Sequence, residues 1–140
     1  MAAATLLTPD IDGARRFIRL MDEAGAAPKA VLWVYNPDSD NWRLWVVPSR
    51  IPGVETGPQG PNLLQFYGFV APLVVQHRRD LGGLDPGDIH MVESGHPAVV
   101  ALSRFVDTSG ETPVRMSNNM LDGYFLPDAV ILRLTPPKAA

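Results

Sequence analysis

The chain has 140 residues, of which 46% are hydrophobic and 19% charged, with a net charge of −3 and no cysteine. Its length suits one domain spanning 1–140 with a core of its own, and the missing cysteine excludes disulfides, thiolate catalysis, cysteine zinc sites and iron–sulfur clusters. A charged content below the roughly 25% of an average soluble domain leaves room for an apolar contact patch, and the absence of a long Lys/Arg run removes the electrostatic footprint of a nucleic-acid partner.

Residues 1–7 are small and apolar without a basic start, too short a stretch for a secretory signal, and are expected to be flexible. The longest apolar run, 69–75, falls far short of the roughly 20 residues of a membrane span. A soluble cytoplasmic protein with no membrane partner is expected.

Thr8, Pro9 and Asp10 read as a helix start: a hydroxyl cap, a proline whose missing N–H costs nothing there, and an acid at the positive dipole end. Ile11, Ala14, Ile18 and Met21 then recur at helical spacing, with Arg15, Arg16, Arg19 and Glu23 on the other face. Gly25 and Pro28 end that helix.

Segments 30–35 and 42–47 are rich in Val, Leu, Trp and Tyr and flank the turn formers 36–41, which predicts a hairpin. Period-two counting puts Val31, Trp33 and Tyr35 on one face of the first strand, and Arg43, Trp45 and Val47 on one face of the second. Whether Trp33 shares the face of Arg43 and Trp45 depends on a register that the six-residue loop leaves open. All three tryptophans lie on this hairpin, and Trp33, Arg43 and Trp45 are the candidate contact residues. Core packing is the plainer alternative.

Residues 48–61, rich in Pro and Gly, read as a long loop ending at an Asn62 cap. A second helix is expected over 63–81 with Gly82 as its stop. Pro72 in its middle removes the bond to the Gly68 carbonyl and predicts a kink or a break. A short strand over 88–93 follows the turn at Asp85-Pro86-Gly87, and His96-Pro97 opens a short third helix. Asp122-Gly123 is a favoured hairpin turn between 114–121 and 124–134, and Pro127-Asp128 interrupts its second arm with a bulge or an edge position. Residues 135–140 should fray. The expected fold is α+β in the order α-β-β-α-β-α-β-β, with a mainly antiparallel five-stranded sheet packed by helices.

His90, Glu93 and His96 form a string of potential metal ligands. Alternation along a strand would point the first two oppositely, so strand-end and capping roles are the simpler reading, and neither metal nor cofactor is implied. Asn36, Asp38 and Asp40 open like a calcium loop, yet Asn41 stands where a Gly is needed and Val47 where a bidentate Glu should close it. Neither a phosphate loop nor a nucleophile elbow occurs.

A third function, single-stranded nucleic-acid binding through aromatics on the sheet, is disfavoured by the net charge, which leaves two ahead of it. The first is a small, non-catalytic, self-associating protein-interaction domain that uses a sheet face or edge carrying Arg43 and Trp45, its partner being a protein or a second copy. The alternative is an enzyme or small-ligand binder whose cleft lies between the 48–61 loop and the strand of His90, with Arg79, His90, Glu93 and His96 as its residues.

Overall fold

The computed structural model describes residues 10–56, 60–82, 84–104, 113–117, 119–121 and 123–134. The expected caps Thr8 and Pro9 and the two tails lie outside them. Asp10 itself caps the first helix, α1 (Ile11–Glu23), its carboxylate accepting from the Gly13 amide at 2.9 Å. At the far end Gly25 has φ of +81°, and the Gly25 and Ala26 amides return to the carbonyls of Asp22 and Met21 at 3.1 and 2.9 Å. Glycine adopts that left-handed turn without a Cβ penalty.

Strands β1 (Ala30–Asn36) and β2 (Asn41–Val47) form the hairpin that alternation predicts. They pair antiparallel with Trp33 opposite Leu44, Val34 opposite Arg43 and Leu32 opposite Trp45. Helix α2 (Leu63–Gln76) begins on an Asn62–Gln65 capping box and runs unbroken through Pro72. It stops at a His77 cap rather than continuing to Leu81. Tighter turns then take over, the Asp80 amide reaching the His77 carbonyl at 2.9 Å, and carry Leu81 back into the core. A short 3-10 turn over Pro86–Asp88 leads into β3 (Ile89–Met91), and α3 (Pro97–Leu102) follows.

The last segment departs most from expectation. The turn at Gly123 does carry a hairpin, β5 (Asn119–Leu121) with β6 (Tyr124–Leu126), but it forms a separate two-stranded sheet. The flanking strands β4 (Val114–Met116) and β7 (Ala129–Leu134) join the main sheet instead. Pro127 and Asp128 separate β6 from β7, because proline has no N–H to extend the ladder.

The main sheet has the order β3-β2-β1-β7-β4. It is mixed rather than antiparallel throughout, since β3 lies parallel to β2. The cause is α2, a crossover that returns the chain to the end where β2 began, as parallel neighbours require.

Helices α1 and α2 cover one face, packing Phe17, Met21, Phe66 and Val70 on Trp33, Leu44 and Val130. On the other face α3 and the small hairpin pack Leu102, Leu121 and Leu126 on Leu32, Val34 and Ile131. Arg133 on β7 forks onto Asp22 of α1 at 2.7 and 2.9 Å, tying sheet to helix. Among the described residues no helix is long and apolar enough to cross a membrane.

Candidate functional site

Strand register splits the three expected contact residues. Trp33 pairs with Leu44 and faces α1 and α2, where it is fully buried and donates its indole N–H to the Asp10 carbonyl at 3.1 Å. Trp42 is buried on the same face. Arg43 and Trp45, one residue out of phase, point to the opposite face and remain half-buried. Trp33 is therefore a core residue and not a contact residue.

On the face it shares with Trp45, Arg43 meets a residue assigned to the competing hypothesis. His90 on β3 is the lateral neighbour of Trp45 across the parallel pair. Its Nε2 lies in hydrogen-bonding contact with Arg43 Nη1. A guanidinium can only donate, so Nε2 accepts and the His90 proton belongs on Nδ1. Burial pushes the His90 pKa below the ordinary imidazole value, and the neighbouring guanidinium adds to that effect. Arg43 makes no ion pair among the described residues, and its buried Nε has no hydrogen-bond partner. Asp88 is near enough for Arg43 to draw its pKa down, but burial dominates and leaves that pKa raised.

His96 caps α3, its Nδ1 accepting from the Ala98 amide at 3.1 Å. Its ring stands edge-on between Trp45 and Tyr124, with centroids 5.0 and 4.9 Å away, and burial lowers its pKa. These rings hold β2, α3 and β6 together beneath a groove of about 440 Å³. Arg43, Trp45 and His90 lie along that groove, and Tyr124 and Phe125 contribute its remaining aromatic surface. Tyr35 donates its hydroxyl to Asp40, a bond that raises its pKa and keeps it a phenol. Sequence reasoning missed Tyr124 and Phe125. Their signal was the adjoining Asp122-Gly123 turn, which placed them on a hairpin without showing that it folds back over the sheet.

The other expected residues do not converge there. Glu93 is exposed and lines a cavity of about 720 Å³ with Lys29, Ser49, Asn62 and Leu64, between the 48–61 loop and the end of β3. His90 is not part of that cavity's lining. Arg79 sits beside His77 in a separate depression after α2. Among the described residues no three His, Asp or Glu side chains are grouped to hold a metal ion.

The groove's described lining contains no serine, threonine or carboxylate. His90 is occupied as an acceptor by Arg43, which removes it as a ready general base. No family model, no curated protein and no solved structure matches the chain.

Proposed function

We propose that this is a non-catalytic protein-interaction domain whose contact surface is the groove over Arg43 and Trp45. The observation that carries this reading is that the groove runs into an uncovered apolar pair. Phe125 on its rim is 50% exposed, and Met120, directly across the small hairpin, is 66% exposed. An aromatic and arginine centre open along one side suits a protein segment better than an enclosed small molecule. The test is selection from a displayed random-peptide library on the wild-type chain and on Phe125→Ser and Arg43→Ala variants. Enriched peptides should shift the Trp45 and Phe125 resonances and lose binding to both variants. Enrichment equal on all three proteins would refute the reading.

Self-association is supported by a different surface. No charged residue occurs between Thr56 and His77, and α2 leaves Leu64 83% exposed with Val75 and Leu63 more than half exposed. Two copies crossing antiparallel would place Leu64 of each against Val75 of the other, with Gly68 at the centre permitting close approach.

A second reading has one observation in its favour. The cavity beside the 48–61 loop is of the size that holds small ligands, and it carries both Lys29 and Glu93. Screening small polar metabolites by thermal shift against wild type and Glu93→Gln separates it from the first.

A further inference from the structure

The occupant of the Arg43 groove can be argued from what Arg43 lacks. Among the described residues one acceptor reaches this guanidinium, His90 Nε2. Nη2 has no partner among the described residues, and Arg43 lines the groove, whereas Nε is sealed from it. A guanidinium donor left without a protein acceptor at the wall of a groove favours an occupant that supplies one. A carboxylate fits best, because its two oxygens match a guanidinium edge and the bond is charge-assisted.

We infer that the groove receives the carboxylate of an acidic side chain in an extended partner segment, with an apolar neighbour of that acid seated against Trp45 and Phe125. The inference rests on the interaction-domain reading and names what that domain recognises. The positive centre calls for an anion, and the local charge selects its kind. His90, held as an acceptor, adds no second positive charge beside Arg43. A single guanidinium suits a monoanion, whereas a phosphate dianion would bring a second charge that nothing in the groove's described lining neutralises. The apolar half of the ligand follows from the walls. Trp45, Tyr124 and Phe125 offer ring surface, and Phe125 remains half uncovered in the free protein. An acid flanked by charged or small residues would leave that surface wet.

The test titrates the full chain with a blocked Gly-Phe-Glu-Gly peptide, its glutamine counterpart and its phosphoserine counterpart. The free acid 3-phenylpropionate is a fourth probe. Binding is followed through the indole resonance of Trp45 and the ring resonances of His90. The glutamate peptide should bind about tenfold more tightly than the glutamine peptide, the ratio expected when one charge-assisted bond is lost. Arg43→Gln should abolish that ratio while the indole resonance of buried Trp33 stays in place, showing an intact fold. Arg43→Lys should retain part of it.

Equal binding of the glutamate and glutamine peptides at Trp45 would overturn the carboxylate inference and leave the interaction-domain reading standing. Preference for phosphoserine would replace carboxylate by phosphate. Binding of 3-phenylpropionate as tight as that of the peptide would overturn the extended-segment half. No shift at Trp45 with any probe would overturn the inference outright, while the library selection decides the reading beneath it independently.

Discussion

The hydroxyl of Tyr67 on α2 closes the open edge of β3 at Ile89, donating to the Ile89 carbonyl at 2.8 Å while accepting from the Met91 amide at 3.2 Å. Two backbone groups on that edge, the Ile89 carbonyl and the Met91 amide, are thus bonded to a side chain. An exposed edge is a template for pairing with another chain, and a phenol hydroxyl supplies both the donor and the acceptor that block it. The β3 edge is thus less open to an added strand at Ile89 and Met91.

Replacing Tyr67 by Phe keeps the ring's edge-on packing on Phe66, at a centroid distance of 5.0 Å, and removes only the hydroxyl. One donor and one acceptor on β3 are then orphaned. We expect a loss of about 1–3 kcal/mol in chemical denaturation and a greater tendency to form β-rich aggregates. A variant as stable as wild type, within about 0.5 kcal/mol, would show that water satisfies these groups equally well.

Two glycine-to-alanine changes should act in opposite directions. A Cβ on Gly13 would stand 2.7 Å from the Leu81 carbonyl oxygen and also collide with the Asp10 carboxylate that caps α1. The turn after α2 packs too closely there for any side chain, so Gly13→Ala should cost about 1–3 kcal/mol despite alanine's better helix propensity. Gly68 in α2 has nothing within 4 Å of such a Cβ. Gly68→Ala should therefore stabilise the monomer, measured at a concentration too low for α2 to meet a second copy, by up to about 1 kcal/mol. Thermal melts of the two variants give the comparison, and the same sign for both would contradict the packing argument.

Stability should fall as pH drops below the ordinary imidazole range, and the sign follows from two histidines. His90 and His96 both have pKa values lowered from 6.5, mainly by burial. The unfolded chain consequently binds more protons than the native one in the window beginning near that value and extending downward. Native stability is fully present above it and is lost as pH falls through the lower folded values. Protonation would also remove the acceptors used by Arg43 and by the Ala98 amide. Asp88 acts oppositely and lower on the scale, since its raised pKa means that acid relieves a burial penalty. The double variant His90→Gln, His96→Asn keeps acceptors in place and should flatten the decline between about pH 7.5 and about pH 5. An unchanged slope would assign the pH response to other groups.

The parts of this fold legible in the sequence are those governed by local chemistry. Alternation located β1 and β2 almost to the residue, Asn62 was readable as a cap, and Gly25 was readable as a helix stop. What was not legible depends on pairing between distant segments. The side of the sheet taken by Trp33 is decided by its alignment with Leu44 across a loop whose length permits either parity. The parallel placement of β3 depends on where α2 returns the chain. The groove follows from both, since Arg43 and His90 lie 47 positions apart. Counting residues assigned them to competing hypotheses, whereas the sheet makes them neighbours.

The uncovered face of α2 leads to the last prediction. Leu64 is 83% exposed on a helix with no charge along its length, an arrangement that water alone does not favour. If two copies bury this face against each other, sedimentation should show a concentration-dependent dimer. Leu64→Glu should break it by placing two carboxylates inside the contact, where each lacks a partner. The substitution lies outside the core formed by Phe66, Val70 and Val74, so the monomer should keep its melting temperature at low concentration. Leu64→Met, which conserves apolar volume, should keep the dimer. A wild-type chain that sediments as one 15.2 kDa unit at every concentration would remove the self-association half of the proposal and leave the groove untouched. The two surfaces belong to opposite layers of the sheet, α2 packing on the Trp33 face and the groove lying on the Trp45 face, so their occupants would not compete.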